Sequence, residues 1–223
     1  MRHGWHNFGD ANECGTHLAR AVEEEVNADL KTLKRVSVVV PGGNTPKHFL
    51  AALSQSEIDW SRVDLTLSDE RWVAPADHRS NERMVRGKFL SQVEKPPRFF
   101  SLWRSEIVGD SAQSMLEQSL GEMASPVSVA VVGIGADGHF GSLFPGEKYR
   151  DRQTKKCIWV PSKTRGNRIS LSYGFLLSAR KVYVLAGGKD KQKVLSEAQT
   201  TRIDLPISSF YWDRPNQFEV YTF

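Results

Sequence analysis

Asp137 and His139 stand two residues apart in Gly133-Ile134-Gly135-Ala136-Asp137-Gly138-His139-Phe140-Gly141-Ser142-Leu143-Phe144-Pro145-Gly146. A carboxylate and an imidazole at that spacing can bracket one ligand or order one another, and the chemistry they offer is proton transfer. Imidazoles titrate at about pH 6.5 in water, so a neutral one is a serviceable base at pH 7. The carboxylate can fix the ring's tautomer or stabilise the imidazolium as it forms. Glycines around the pair let the backbone turn sharply and approach a ligand closely. Taken alone, the same letters also fit a polar turn whose His hydrogen-bonds only its own loop.

Four other segments carry groups that suit a small anion. Gly42-Gly43-Asn44-Thr45 precedes Pro46. If Pro46 opens a helix, the loop amides, the Thr45 hydroxyl and the helix's positive end can converge on a phosphate. A tight turn with Thr45 as N-cap is the alternative. Asp69, Glu70 and Arg71 follow an apolar run, where a carboxylate can order a polar substrate and an Arg can hold its anionic group. A salt-bridged loop, with Trp72 packed against it, fits equally. His78 and Asn81 read as loop-closing residues. Arg168 and Lys191 can add a forked and a point cation to the phosphate cradle, or can be solvated surface charges.

These groups must be positioned by the elements between them. Apolar, β-branched runs at Val36 to Val40, Val63 to Leu67, Val127 to Val132 and Val182 to Leu185 alternate with amphipathic stretches. That alternation predicts parallel strands with crossover helices. Helices are expected at Asn12 to Leu33, Pro46 to Leu53, Asn81 to Gln92, Ser111 to Met123 and Asp190 to Gln199. Further strands are expected at Arg98 to Leu102, Cys157 to Val160, Ile207 to Tyr211 and Phe218 to Tyr221, some at sheet edges, and Arg168 to Ser172 also reads as a strand. The fold class is α/β: a three-layer, mostly parallel, Rossmann-like sheet flanked by helices, in one domain spanning residues 1–223. In such sheets ligands collect beyond the carboxyl ends of the strands, where Gly42 to Thr45, Asp69 to Arg71, Asp137 to His139 and the segment leading to Lys191 fall; Arg168 instead opens a strand.

Composition narrows the function classes. The 223 residues are 39% hydrophobic and 25% charged, with a formal charge of +4, which suits a globular chain. The cations are dispersed and no recognition helix or RNA-binding aromatic motif is present, so no nucleic acid partner is expected; a small anionic substrate explains the excess. No stretch approaches the ~18 apolar residues of a membrane span, and Met1 to His6 leads into polar residues rather than a signal-peptide core. A cytoplasmic protein with free thiols at Cys14 and Cys157 is expected, neither of them catalytic. The chain lacks Gly-x-Ser-x-Gly and His-Glu-x-x-His, a Gly-x-Gly-x-x-Gly after the first strand, and the spacing of a nucleotide P-loop. For a hydrolase these absences favour activated water over Ser142 as the nucleophile.

With the segments in this order, the chain resembles the sugar-phosphate isomerase and deaminase group and, within it, the 6-phosphogluconolactonase family. Asp69-Glu70-Arg71-Trp72-Val73 matches a family segment outright; Pro41 to Pro46 is similar to Ser-Gly-Gly-Ser/Thr-Thr-Pro; Asp137 to Gly146 is similar to Asp-Gly-His-Thr-Ala-Ser-Leu-Phe-Pro-Gly. Arg168 to Leu171 and Gly188 to Lys191 fit two more. The resemblance implies hydrolysis of 6-phospho-D-glucono-1,5-lactone in the oxidative pentose phosphate pathway, without metal or organic cofactor, by a monomer or weak homodimer. It implies that His139 and Asp137 serve catalysis. Gly43, Asn44, Thr45, Arg168 and Lys191 would hold the phosphate, with Arg71 either assisting there or facing the lactone, and with Gly42 and Asp69 also on substrate. The deaminases of the group carry Phe-Asn-Glu-Pro where this chain has Ser142-Leu143-Phe144-Pro145, which favours the lactonase. A non-catalytic phosphosugar sensor is the remaining alternative. Pro41, Asn44, Phe140 and Gly141 depart from the family pattern, and Ser162 to Asn167 replaces its usual Lys-Pro-Pro, which bears on phosphate affinity and on the packing of the imidazole.

Overall fold

The computed structural model describes residues 4–147 and 154–223, so Met1 to His3 of the N-terminal reading lie outside the described residues. In chain order the elements are β1 (Trp5–Asn7), α1 (Ala11–Leu30), β2 (Val36–Val40), α2 (Lys47–Leu53), β3 (Val63–Leu67), β4 (Asp69–Arg71), α3 (Asn81–Lys88), β5 (Arg98–Phe100) and α4 (Gly109–Gly121). There follow β6 (Val127–Gly133), β7 (Cys157–Val160), β8 (Arg168–Leu171), α5 (Tyr173–Leu177), β9 (Lys181–Ala186), α6 (Lys189–Thr200), α7 (Pro206–Asp213) and β10 (Phe218–Thr222).

Seven strands form one sheet in the order β1-β10-β9-β6-β2-β3-β5, and every pairing in it is parallel. The central strands β2 and β3 are buried at every position, as a parallel sheet covered on both faces requires. α1 supplies part of that cover. Asp10 caps it by accepting from the amides of Asn12 and Glu13, and Leu18, Val22 and Val26 recur every fourth residue, each wholly buried. Burying each of these side chains contributes roughly 1.5–3 kcal/mol.

β4, β8 and β7 form a second, antiparallel sheet. The fold is thus the expected α/β type with a mostly parallel sheet, and two of the additional strands stand apart from that sheet instead of extending its edge. β5 does lie at an edge, whereas β10 is interior, covered by the unanticipated β1.

The strand expected at Ile207 to Tyr211 is helical and belongs to α7. Pro206 in the first turn pre-sets the helical φ and gives up an amide that would be unpaired there anyway, while Ile207 and Phe210 sit one turn apart on the buried side. The β-branched and aromatic letters argued for a strand; the proline decided against it. Helix ends also moved. α3 stops at Lys88, where buried Phe89 turns in against Trp60, ring centroids 4.7 Å apart, before a short 3-10 turn at Leu90–Gln92. α2 starts at Lys47, with Pro46 as its N-cap and no side-chain cap, so neither the Pro46 start nor the Thr45 cap holds. Among the described residues, no helix is long and apolar enough to cross a membrane.

Candidate active site

From β2 the chain builds outward through β3 to β5, and from β6 it builds the opposite way through β9 to β10. The reversal leaves a crevice beyond the carboxyl ends of β2 and β6, the place where open α/β sheets bind ligands. A side-chain carbon built on Gly133 would lie 3.9 Å from Cβ of Pro41, so the two exit loops lie side by side. A cavity of about 240 Å³ opens there. Gly42, Gly43, Asn44 and Thr45 line it from the β2 exit, Asp69, Arg71 and Arg168 from the second sheet, His139 from the β6 exit and Lys191 from α6. Asp137 does not line it; it stands beside the imidazole.

The imidazole is held by a compact turn. The Gly135 amide donates to the His139 carbonyl at 2.8 Å, and Ile134 bridges to Phe140. Asp137 Oδ1 lies 2.5 Å from His139 Nδ1 and 3.3 Å from its amide nitrogen. Burial raises the Asp137 pKa, but the hydrogen bond and charge of His139 outweigh it and hold the carboxyl below its usual value. An ionised carboxylate only accepts, so the ring proton belongs on Nδ1 and the lone pair on Nε2. Gly135 has no room for a side chain: a Cβ would fall 2.1 Å from His139 Cε1 and 2.7 Å from Asp137 Oδ1. Phe144 packs against the imidazole with centroids 4.8 Å apart. Phe140 points elsewhere, fully buried against Phe210 at 4.6 Å, so its departure from the family pattern serves the core.

Gly133, Gly135 and Gly138 have Gly-x-Gly-x-x-Gly spacing, yet the segment folds back through the Ile134–Phe140 bridge and opens no helix among the described residues. It therefore lacks the helix end that makes the dinucleotide fingerprint work.

The remaining wall is cationic. Burial pulls the pKa of Arg168 down, aided by the charges of Arg71 and Arg165 and opposed by Asp69; burial alone does the same to Lys191. Arg168 lies 3.6 Å from Asp69 Oδ2, and Lys191 Nζ lies 3.4 Å from Thr45 Oγ1. The Nε atoms of Arg71 and Arg168 are buried without a hydrogen-bond partner among the described residues. These are donors and charges held ready for an anion, since unmet buried donors are costly.

Two residues build this wall in ways the sequence did not disclose. Asn81, read as loop-closing, donates to the Asp69 carbonyl at 2.9 Å and accepts from the Gly43 amide at 3.1 Å. That contact occupies the Gly43 amide, and a Cβ on Gly42 would fall 2.0 Å from Asn81 Cγ. Ser142, buried, donates to Asp69 Oδ2 at 2.6 Å. Nothing in the spacing of either residue signals these bonds. Glu70 turns the other way: wholly buried, it accepts from Ser80 Oγ and from the amides of Arg71, Asn81 and Glu82, capping α3, and burial raises its pKa. Trp72 packs edge-on against Trp159 at 4.8 Å, and His78 is exposed beside Asp77. Cys14 and Cys157 are buried; burial pushes Cys14 up to about 12 and Cys157 higher still, which leaves both thiols inert.

Comparison with known proteins places this arrangement among relatives. Residues 9–220 match the model of the family described as glucosamine-6-phosphate isomerases/6-phosphogluconolactonase. The chain is 29% identical over 229 residues to a 6-phosphogluconolactonase of Rhizobium meliloti, covering 99% of each. It is 31% identical to a 6-phosphogluconolactonase of Pseudomonas aeruginosa, covering 91% of this chain and 89% of the other. Among solved structures it superimposes on a 6-phosphogluconolactonase from Shewanella baltica OS155 with a TM-score of 0.90 at 28% identity, covering 98% of this chain and 96% of that one.

Proposed function

This chain belongs to the glucosamine-6-phosphate isomerase/6-phosphogluconolactonase family, and on that premise we propose that it hydrolyses 6-phospho-D-glucono-1,5-lactone to 6-phospho-D-gluconate, with His139 activating the attacking water. The observation that carries this reading is one cavity lined by a carboxylate-oriented imidazole and by two cations, Arg168 and Lys191, whose pKa values burial depresses. Its curated relatives carry the lactonase name.

Arg168, Lys191, Thr45 and the glycine loop hold the phosphate, with Arg71 beside them. Asp69 and Asn81 fix the loop and Arg168 rather than touching the reacting atoms. Binding the remote phosphate brings the ester carbonyl to the imidazole, so that binding energy is spent on orientation. Nε2 of His139 takes a proton from water as oxygen attacks the carbonyl carbon. Asp137 stabilises the imidazolium that results, and the proton returns to the departing ring oxygen as the C–O bond breaks. Phe144, against the imidazole, leaves no carboxylate there for the ring-opening and enolisation of a deaminase. We place it in the cytoplasm, as a monomer or weak homodimer.

The test is lactone disappearance at controlled pH, corrected for spontaneous hydrolysis, beside an assay for ammonia release from glucosamine 6-phosphate. His139→Ala is expected to lose most lactonase activity, about 10²-fold or more, while still binding 6-phosphogluconate. Near-normal hydrolysis in that variant overturns the mechanism. Activity only in the ammonia assay overturns the substrate, and phosphosugar binding with activity in neither supports a sensor.

A further inference from the structure

Beside the catalytic cavity lies a second, larger hollow of about 430 Å³, within the range that holds small-molecule ligands. Gly43, Asn44, Arg71 and Asn81 line both, so the two are neighbours across the glycine loop. The wall of the second is formed by the start of α2 and by α3. It is lined by Lys47, Arg83 and Lys88 as well as Arg71, and by no Asp or Glu.

Surface cations are normally solvated and contribute little; here their company sets them apart. Arg79, also on the wall, is matched by Asp77 through bonds of 2.8 and 3.1 Å, and Arg86, one turn away on α3, is matched by Glu82 at 2.7 Å. Lys47, Arg71, Arg83 and Lys88 have no ion-pair partner among the described residues. The cations that face away from the hollow or at its rim are neutralised. Those that converge on it are not.

We propose that this hollow is a second anion site, distinct from the seat of the reacting substrate, and that it takes a small molecule bearing a diphosphate group. Charge count selects the class. Arg71 is shared with the first cavity, so Lys47, Arg83 and Lys88 are the unpaired cations of this hollow alone; a phosphate monoester brings about 1.5–2 negative charges at neutral pH and leaves about one of the three unmatched, whereas a diphosphate meets them nearly in full. The two lysines act as point charges and Arg83 as a fork. No Phe, Tyr or Trp lines the hollow, its one aromatic ring is the exposed His78 imidazole beside Asp77, and Met84 is its sole large apolar lining residue, so the wall suits phosphates better than the stacking of a base.

The test is calorimetric titration of the whole protein with inorganic pyrophosphate and, separately, orthophosphate, at one low ionic strength. A Cβ on Gly87, which lines the hollow, meets nothing within 4 Å, so Gly87→Glu introduces a carboxylate without a clash. A second variant, Lys47→Gln/Arg83→Gln/Lys88→Gln, alters exposed side chains alone, and thermal unfolding checks that both remain folded. The wild type is expected to bind pyrophosphate at least ~10-fold more tightly than orthophosphate, and each variant to weaken pyrophosphate binding ~10-fold or more. Lys191→Ala is expected to keep it. The proposal is overturned if the wild type does not bind pyrophosphate, if the triple variant binds it equally well, or if Lys191→Ala alone abolishes binding, which would put the ion in the catalytic cavity. No readout involves lactone hydrolysis, so failure here is separable from failure of the catalytic reading.

Discussion

Arg71 and Arg168 are direct cross-strand partners in the antiparallel β4–β8 pair. Like charges in that relation are destabilising, and the chain keeps them while burying much of Arg168 and leaving both Nε atoms unpartnered. Asp69, two residues before Arg71, relieves part of the repulsion at 3.6 Å, but it already accepts from Ser142. Under the proposed function, the substrate phosphate completes the pair. The second sheet thereby has a functional reason to exist: it carries two cations to the mouth of the parallel sheet and holds them rigidly.

Arg168→Gln should therefore weaken 6-phosphogluconate binding by about 10- to 100-fold, the range expected for losing a charge-assisted bond. It should change the stability of the unliganded protein by less than about 1 kcal/mol, because a repulsion is lost along with the Asp69 contact. Calorimetric binding and thermal melts with and without ligand check both halves. A large loss of unliganded stability would show that Arg168 is a structural residue.

Asp137→Asn keeps the shape beside His139 but not the charge or the acceptor-only character that sets the tautomer. We expect kcat to fall about 10²-fold with KM within roughly threefold of wild type, smaller than for a fully buried orienting carboxylate because Asp137 is 48% exposed. Steady-state kinetics decide it, and kcat within threefold of wild type would remove Asp137 from catalysis.

The central strands and the residues that line the cavity were legible because both obey short-range rules. Val36 to Val40 and Val63 to Leu67 are unbroken apolar runs, and every residue assigned to the site follows such a run or begins a helix or strand nearby. What escaped depends on chain separation. The bonds from Asn81 to Asp69 and Gly43 span 12 and 38 residues, and the Ser142 bond to Asp69 spans 73, so no local pattern marks them. β4 is too short for periodicity, and its pairing with the expected β8 as a separate sheet is a tertiary fact. Ile207 to Tyr211 failed for the opposite reason: local composition pointed to a strand while Pro206 and the buried face of Ile207 and Phe210 favoured a helix.

Gly135→Ala tests the turn itself. The added methyl would overlap the imidazole and approach the Asp137 carboxylate, and the ring is the part free to move. Displacing a catalytic group by about 1 Å can cost about 10²-fold in rate. We expect kcat to drop by that order, 6-phosphogluconate affinity to stay within roughly threefold, and the melting temperature to shift by only a few degrees. Unaltered kcat would mean that the imidazole position is not critical.

Asp64 governs acid stability from the other end of the sheet. Its side chain is wholly buried, yet it accepts from Arg98 at 2.9 and 2.8 Å, from Arg35 at 3.0 Å and from the Ala124 amide at 2.8 Å. Burial raises its pKa, but the Arg98 and Ala124 hydrogen bonds, the Arg98 charge and the Arg35 bond outweigh that and hold it below the ordinary value of 3.8. A carboxyl lowered in the folded state binds fewer protons there than when unfolded, so its stabilisation is complete above about pH 4 and fades as pH falls through the native pKa. Asp64→Asn should cost about 2 kcal/mol at pH 7, less than a fully buried pair because Arg35 and Arg98 are 38% and 47% exposed. The penalty should shrink below pH 4, as wild type loses what the variant lacks. Urea unfolding of both proteins from pH 7 to pH 3 measures it, and a penalty that grows on acidification would contradict the assigned direction.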